Sequence, residues 1–156
     1  MSDNLLTEEP TTEPEAPRRV RTPRKSLVAL RIVAVLHLLV FFLQPVLAGI
    51  YLNGDFDAIG LHELNAQIVT GMVFFQLVAA IVYAAGGGGR LWPIWFSLGL
   101  ALLEETQKGL GYERLVAFHI PLGILLLMTQ LFFTHWTFSA RAKVARVAKA
   151  RKKRRS

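Results

Sequence analysis

Four apolar runs, each close to the length that crosses a lipid bilayer, constrain the fold of this chain more than any other feature. A spanning helix needs about 20 apolar residues, and a soluble domain of 156 residues would not carry several such runs. Strands are disfavoured because the runs do not alternate and because open sheet edges are not viable in lipid. The sequence therefore predicts an all-α membrane protein, an up-down bundle of four transmembrane helices: Ser26–Leu52, Ile59–Ala85, Leu91–Leu110 and Leu115–Phe138.

The distribution of basic residues predicts the orientation of these helices. Sixteen of the 18 Lys and Arg residues lie before the first helix, after the fourth, or near the same ends of the helices, which leaves Lys108 and Arg114 for the outer side. Basic residues accumulate on the cytoplasmic side of membranes, so we expect both termini in the cytoplasm and the protein in the cell membrane. The first apolar run exceeds the roughly 7–15 apolar residues of a signal peptide and is expected to remain uncleaved.

Polar ends flank the predicted transmembrane domain, residues 26–138. Residues 1–25 mix acids, Thr and Pro and are expected to be disordered, because they cannot bury enough apolar area to offset their ordering entropy. Residues 139–156 form a basic tail that we expect to bind anionic inner-leaflet headgroups, with about 1 kcal/mol from each Lys or Arg. Nucleic-acid binding by Arg151–Arg155 is the alternative, disfavoured because a basic run beside a membrane already has an electrostatic explanation. A membrane protein partner or a homo-oligomer is left open.

Two histidines occupy matching places in helices two and four. His62 and His119 each lie about one turn inside the outer end of a helix, and these helices run in the same direction and lie diagonally in an up-down bundle. Their depths therefore agree to within about 5 Å. Four residues later, on the same face, the two helices carry Ala66 and Gly123, small residues that leave room for a flat macrocycle. We predict a haem b between His62 and His119; the alternative is that each histidine bonds water or loop backbone at the interface.

A weak internal repeat supports this pairing. Gln44 precedes a glycine and then His62 in the first helical hairpin, and Gln107 precedes a glycine and then His119 in the second. The order Gln, Gly, His thus occurs twice, which predicts two related hairpins packed about a pseudo-twofold axis along the membrane normal. Gln44 and Gln107 are therefore added to the predicted haem site.

The residues of the repeat also carry a family resemblance. Gln44-Pro45-Val46-Leu47-Ala48-Gly49, His62-Glu63-Leu64-Asn65-Ala66, Gln107-Lys108-Gly109-Leu110-Gly111 and Val116-Ala117-Phe118-His119 resemble one four-helix half of haem A synthase. The resemblance implies haem ligands on the second and fourth helices. The chain looks still closer to small four-span integral membrane proteins of actinobacteria, for which the family implies no settled activity.

The departures from haem A synthase bear on the reaction. In the catalytic half of the synthase, a glutamate stands four residues before the second-helix histidine and an arginine follows it, whereas this chain has Ala58 and Glu63 there. The chain has no cysteine and therefore no cysteine pair in the first outer loop, and no second half follows. The resemblance thus implies the haem-holding scaffold and argues against the synthase reaction.

Helix three ends in a polar stretch with a second candidate group. Glu104 and Gln107 share one face, and Glu105 and Lys108 share another. In one hypothesis Glu104 faces the interior and bonds a histidine N–H, a haem propionate neighbour or a moving proton. In the other, which the sequence favours, Glu105 pairs with Lys108 while Glu104 extends to water.

Four further polar residues are assigned structural roles. The mid-membrane His37 is expected to be a hydrogen-bonded packing residue rather than a third ligand, and His135 is expected to anchor its helix at the inner interface. Gln76 and Gln130 are candidates for interhelical hydrogen bonds without a chemical role.

Three functions are compatible with these features. The first is a haem b protein for electron transfer or haem handling, with metal ligands His62 and His119 and with Ala66, Gly123, Gln44, Gln107 and Glu104 beside them. The second is a cofactor-free membrane scaffold or accessory subunit with a lipid-binding tail. The third, a haem-modifying enzyme, is the least expected, and no catalytic residue is predicted.

Overall fold

The computed structural model describes residues 24–146, and these residues form helices joined by short turns, with no strand among them. Each of the four predicted helices is found, with bounds within two residues of the expected ones when the π-helical turn is counted with the second helix. The second continues into a π-helical turn, and a short fifth helix follows the fourth. The elements are α1 (Arg24–Leu52), α2 (Ala58–Ile81), the π-helical turn (Val82–Gly86), α3 (Trp92–Tyr112), α4 (Val116–Phe138) and α5 (Ala140–Lys143).

Three segments among the described residues are long and apolar enough to cross a membrane. They are Lys25–Leu52, Ala58–Gly86 and Val116–Phe138, which is consistent with a membrane protein. α3 is not among them, because its second half carries Glu104, Glu105 and Lys108 in an otherwise apolar helix. The predicted fourth span and the predicted orientation of the termini therefore stay predictions.

The four long helices pack as two antiparallel hairpins. α1 packs against α2 and α4, and α3 packs against the same two helices. α2 and α4 consequently lie at opposite corners, as an up-down order of helices predicts. The turn between α1 and α2 contains Gly54 with a φ of 103°, and the turn between α2 and α3 contains Gly88 with a φ of 70°. Both conformations favour glycine because a Cβ is disfavoured there.

Two apolar clusters fill the interior. One, at the end of the bundle where α1 begins and α4 ends, includes Leu30, Ala80, Tyr83 and Phe133. The other, halfway along the helices, comprises Phe41, Val69, Val73, Leu100 and Leu126. Phe41 and Val69 of this second cluster also line a cavity, so the packed core ends there and the cavity occupies the half of the helices beyond it.

The first residues of the predicted basic tail fold back onto the helices. Ala142 is fully buried, and its carbonyl oxygen accepts a hydrogen bond from the Tyr83 hydroxyl at 2.9 Å. The backbone nitrogen of Arg146 donates to the Gly88 carbonyl oxygen at 2.8 Å. Residues 139–146 are thus packed against the α2–α3 turn. The rest of the predicted tail and the predicted disordered segment before Arg24 lie outside the described residues.

Candidate functional site

One cavity of about 340 Å³ brings together all the residues that the sequence nominated for cofactor binding. It lies between the four long helices, at the end of the bundle where α1 and α3 end and α2 and α4 begin. Most of its lining is aliphatic, and polar groups enter it from each helix. The nominated residues on its wall are Gln44, His62, Ala66, Glu104, Gln107, His119 and Gly123. The structure therefore places these residues around one space, while cofactor binding stays a prediction.

The two histidine rings lie close together on the wall of this cavity. The ring centroids of His62 and His119 are 6.4 Å apart and the ring planes are inclined by 58°. Both side chains are half-buried. Helices at opposite corners thus present one imidazole each to the same space.

Each imidazole is oriented by a backbone carbonyl of the neighbouring helix. His62 Nδ1 lies 3.1 Å from the Gln44 carbonyl oxygen, and His119 Nδ1 lies 2.9 Å from the Gln107 carbonyl oxygen. A carbonyl oxygen can only accept, so in neutral His119 Nδ1 carries the proton and Nε2 keeps a free lone pair. The same holds for His62 when its Nδ1 donates to the Gln44 carbonyl oxygen. Metal-binding histidines show this arrangement, since a second-shell acceptor on the other nitrogen fixes the tautomer and the ring orientation.

The glutamine side chains complete the same arrangement in both hairpins. The Gln107 side-chain nitrogen donates to the His119 carbonyl oxygen at 2.7 Å. In the amide orientation that pairs its donors with acceptors, Gln44 donates to the His62 carbonyl oxygen at 3.1 Å and to His62 Nδ1 at 3.0 Å, and it accepts from the Ala66 nitrogen at 3.0 Å. Each glutamine therefore holds its histidine both through the ring and through the backbone.

Two glycines leave space for a glutamine side chain and a histidine side chain of the facing helix. A Cβ added to Gly123 would lie 2.7 Å from the Gln107 side-chain nitrogen, so the glycine makes room for this amide as well as for the cavity. The prediction that Gly123 only leaves space for a macrocycle is thus incomplete. A Cβ added to Gly111 would lie 3.0 Å from His119 Cε1, so this glycine allows the ring its position against α3.

Glu104 faces the interior, contrary to the hypothesis that the sequence favoured. Its side chain is only 3% exposed, and its Oε1 lies 3.1 Å from His37 Nε2. Glu104 is buried because α3 is oriented about its axis with Ser97, Leu100 and Glu104 facing the interior. The other half of that hypothesis agrees with the structure, since Lys108 Nζ pairs with Glu105 Oε1 at 2.8 Å.

His37 belongs to a buried polar network that links the four long helices. Its Nδ1 lies 3.1 Å from Gln76 Oε1, and Gln130 Nε2 donates to the same Gln76 oxygen at 2.8 Å. Gln76 Nε2 donates in return to Gln130 Oε1 at 3.3 Å and lies 3.5 Å from Ser97 Oγ. His37 is therefore hydrogen-bonded inside the core, as expected, and the interhelical roles predicted for Gln76 and Gln130 are found.

Sequence reasoning missed two polar residues of this region. Asn65 is buried, and its side-chain nitrogen donates to the Val40 carbonyl oxygen at 2.8 Å. Its place three residues after His62, on the same helix face, was the available signal. Lys108, assigned to the outer surface, is only 16% exposed along its side chain and also lines the cavity.

The outer ends of α2 and α3 are joined by polar contacts. The Tyr112 hydroxyl donates to Glu63 Oε1 at 3.0 Å, and Lys108 Nζ donates to Gln67 Oε1 at 3.4 Å. The hydrogen bond to the Glu63 carboxylate, reinforced by partial desolvation, raises the pKa of Tyr112 above its ordinary value. These contacts join α2 to α3 beside the cavity, to whose wall Lys108 belongs.

The side chains that could bind a metal at this site limit the kind of metal group that it could hold. Among residues 24–146, no three His, Cys, Asp or Glu side chains are grouped as a metal-binding cluster. Two imidazoles alone suit a metal that brings its other ligands in a macrocycle. No family model, no curated protein and no solved structure matches the chain, so the site is interpreted from its own geometry.

Proposed function

We propose that the chain is an integral membrane protein that holds haem b between α2 and α4, with His62 and His119 as axial ligands. The observation that carries the proposal is the spacing of the rings. When the Nε2 atoms of two imidazoles bind one metal, each metal–nitrogen bond is about 2 Å long. Adding the distance from each Nε2 to the centroid of its own ring places the two centroids about 6 Å apart. The centroids of His62 and His119 are 6.4 Å apart.

The surroundings of the two rings support the same ligand. Both Nδ1 atoms lie within hydrogen-bond distance of a carbonyl oxygen, and a ring that donates from Nδ1 leaves its Nε2 lone pair for iron. The cavity wall is mostly aliphatic, as a macrocycle requires, and Ala66 and Gly123 keep the two helices narrow beside the histidines. Lys108 is the cation closest to the outer mouth and suits a propionate.

A bound haem with two histidine ligands supplies one-electron transfer, because both axial positions are then filled by the protein. The residues of this chain orient the ligands, exclude water from the iron and set the charge around it. We propose electron transfer or haem handling as the task and propose no reaction on a substrate.

The membrane arrangement belongs to the same proposal. In α3 (Trp92–Tyr112), residues 92–110 cover about 29 Å at 1.5 Å per residue and match a hydrocarbon core of about 30 Å, so we propose this helix as the fourth span of a four-helix bundle, with Tyr112 beyond the end of the span. Its charges are compatible with that position, since Glu104 faces inward and Glu105 pairs with Lys108. Both termini lie in the cytoplasm in this arrangement, where the basic tail meets anionic headgroups.

Absorption spectroscopy of the detergent-purified full chain tests the proposal. The wild-type protein is expected to show a Soret band that shifts and visible bands that sharpen and split when dithionite is added. His62→Ala and His119→Ala are expected to lose the low-spin spectrum. His135→Ala is the matched control, because His135 is an exposed histidine of α4 at the opposite end from the cavity, and it should retain the spectrum.

Two results contradict the proposal. One is a wild-type protein that stays colourless after haem is supplied while its far-ultraviolet circular dichroism remains helical. The other is a haem spectrum that persists in the His62→Ala, His119→Ala double variant.

The buried amide network favours one other candidate, a cofactor-free scaffold. Interhelical hydrogen bonds such as those of Gln76 and Gln130 stabilise helix packing in lipid without any ligand. A colourless but folded protein in the spectroscopic experiment would support this candidate.

A further inference from the structure

A buried acid–base pair lies beside the cavity and takes no part in the proposed ligation. His37 is fully buried and Glu104 is 3% exposed, with Nε2 and Oε1 3.1 Å apart. Among the described residues, no hydrogen bond is aligned with either carboxylate oxygen of Glu104 or with His37 Nε2. Ionisable groups at membrane depth are expensive, and the neighbouring Gln76 and Gln130 show that amides suffice to link these helices.

The pair communicates with the cavity on one side only. Glu104 lines the cavity, and His37 lies behind it, in contact with Phe41 and with Gln76. Beyond His37 the network continues through the paired amides of Gln76 and Gln130. Amides do not ionise, so a proton that reaches Glu104 from the cavity can move to His37 and no further. The geometry is that of a proton-binding site with a single entrance.

We propose that the His37–Glu104 pair takes up one proton from the cavity when the haem of the proposed function is reduced, and releases it on oxidation. The inference rests on that proposed function. The bound haem would take its electron from a one-electron donor outside the protein, and the pair would take its proton from solvent water that reaches the cavity. The total charge of the site is then unchanged, which matters because an added charge is poorly screened in a low-dielectric interior.

Few other charges face the pair. On its own helix Glu104 is followed by Glu105 and Lys108, which neutralise each other at 2.8 Å. Across the cavity, α2 contributes His62 and α4 contributes His119. α1 contributes His37 itself. Because His62 and His119 are committed to iron in the proposed complex, the remaining ionisable groups at the cavity are the His37–Glu104 pair, Lys108 and the haem propionates. Loss of the proton uptake in Glu104→Gln distinguishes the pair from the other two.

Redox potentiometry of the haem-loaded full chain, repeated from mildly acidic to mildly alkaline pH, tests the inference. Uptake of one proton with each electron lowers the midpoint potential of the wild type by about 59 mV for each tenfold fall in proton concentration. Glu104→Gln is expected to keep the Soret band and to lose most of this slope. Glu105→Gln is the matched control, the same substitution one residue along the helix at an exposed carboxylate, and it should retain the slope.

An infrared difference spectrum between reduced and oxidised protein gives a second readout. The wild type is expected to show a carboxyl or imidazolium band that changes with redox state and is absent from Glu104→Gln. His37→Gln provides the same test should Glu104→Gln fail to fold, because it removes the other member of the pair.

The outcomes separate the two proposals. A haem protein whose midpoint potential does not change with pH, or whose slope survives in both Glu104→Gln and His37→Gln, overturns the proton-binding site and leaves haem ligation in place. A protein that binds no haem overturns both.

Discussion

Gln107 and His119 are joined by two hydrogen bonds of opposite direction. His119 Nδ1 donates to the Gln107 carbonyl oxygen at 2.9 Å, and the Gln107 side chain donates to the His119 carbonyl oxygen at 2.7 Å. Gln44 and His62 repeat the arrangement in the other hairpin. A ring held in this way loses less freedom when it binds a ligand, because its orientation is already restricted.

Replacing Gln107 by alanine is expected to weaken haem binding. Gln107→Ala removes the bond to the His119 carbonyl and keeps the backbone carbonyl that orients the ring, so we expect a loss of about fivefold to tenfold, the value of one neutral hydrogen bond. Titration of the haem-free protein with haem measures the effect. Thr106→Ala is the control, because Thr106 precedes Gln107 on the exposed side of α3 and its hydroxyl bonds only the Leu102 carbonyl of the same helix. Equal affinities for Gln107→Ala and wild type would contradict the role assigned to the side chain.

Gly109 and Gly111 allow a matched pair of substitutions in α3. Each gains up to about 1 kcal/mol of helix propensity as alanine, but only at Gly111 would the new Cβ meet His119, at 3.0 Å from Cε1 and 3.2 Å from Nδ1. We expect Gly111→Ala to weaken haem binding several-fold and Gly109→Ala to leave it unchanged. Haem titrations of the two variants decide this, and a similar affinity for both would show that the His119 ring accommodates the added methyl group.

The amide pair of Gln76 and Gln130 is expected to stabilise the helix packing. Gln130→Ala removes both amide–amide bonds and the bond from Gln130 Nε2 to the Ala34 carbonyl oxygen, so the free energy of unfolding should fall by about 1–2 kcal/mol. Reversible unfolding in mixed detergent micelles measures the change. Thr129→Ala, which removes a hydroxyl bonded to the Leu125 carbonyl of its own helix, should cost less. If both variants lose the same free energy of unfolding, the loss does not come from the buried amide pair but from changes common to both positions of α4.

Glu63 is expected to control the ionisation of Tyr112. The phenol donates to the Glu63 carboxylate, which stabilises the neutral phenol and raises the pKa of Tyr112. Glu63→Gln removes the charge and should lower that pKa toward its ordinary value, so that the phenolate forms at a lower pH. Phenolate absorbance during an alkaline titration measures it, with Tyr112→Phe identifying the step and Glu113→Gln as the control. If the phenol ionises at the same pH in Glu63→Gln as in the wild type, the hydrogen bond between Tyr112 and Glu63 is not formed in solution.

Much of the secondary structure could be predicted from sequence. Long apolar runs bounded by Gly, Asp and Arg locate each long helix to within two residues, because the length of a run depends on local composition alone. The repeated Gln, Gly, His order also located both halves of the cavity wall, since residues at equal depth in helices of one direction meet across the interior. Whether the two histidines bind haem stays a prediction.

The rotation of each helix about its axis was decided by the tertiary structure. α1, α2 and α4 are apolar on nearly every side, so periodicity does not indicate which face is turned inward. Glu104 was therefore assigned to water by its polar neighbours, whereas packing turns it toward His37. The role of Gly123 likewise depends on where the Gln107 amide of another helix comes to lie. Sequence determined the helices and the candidate ligands, and packing between helices determined which polar groups meet, because that choice depends on contacts between segments distant along the chain.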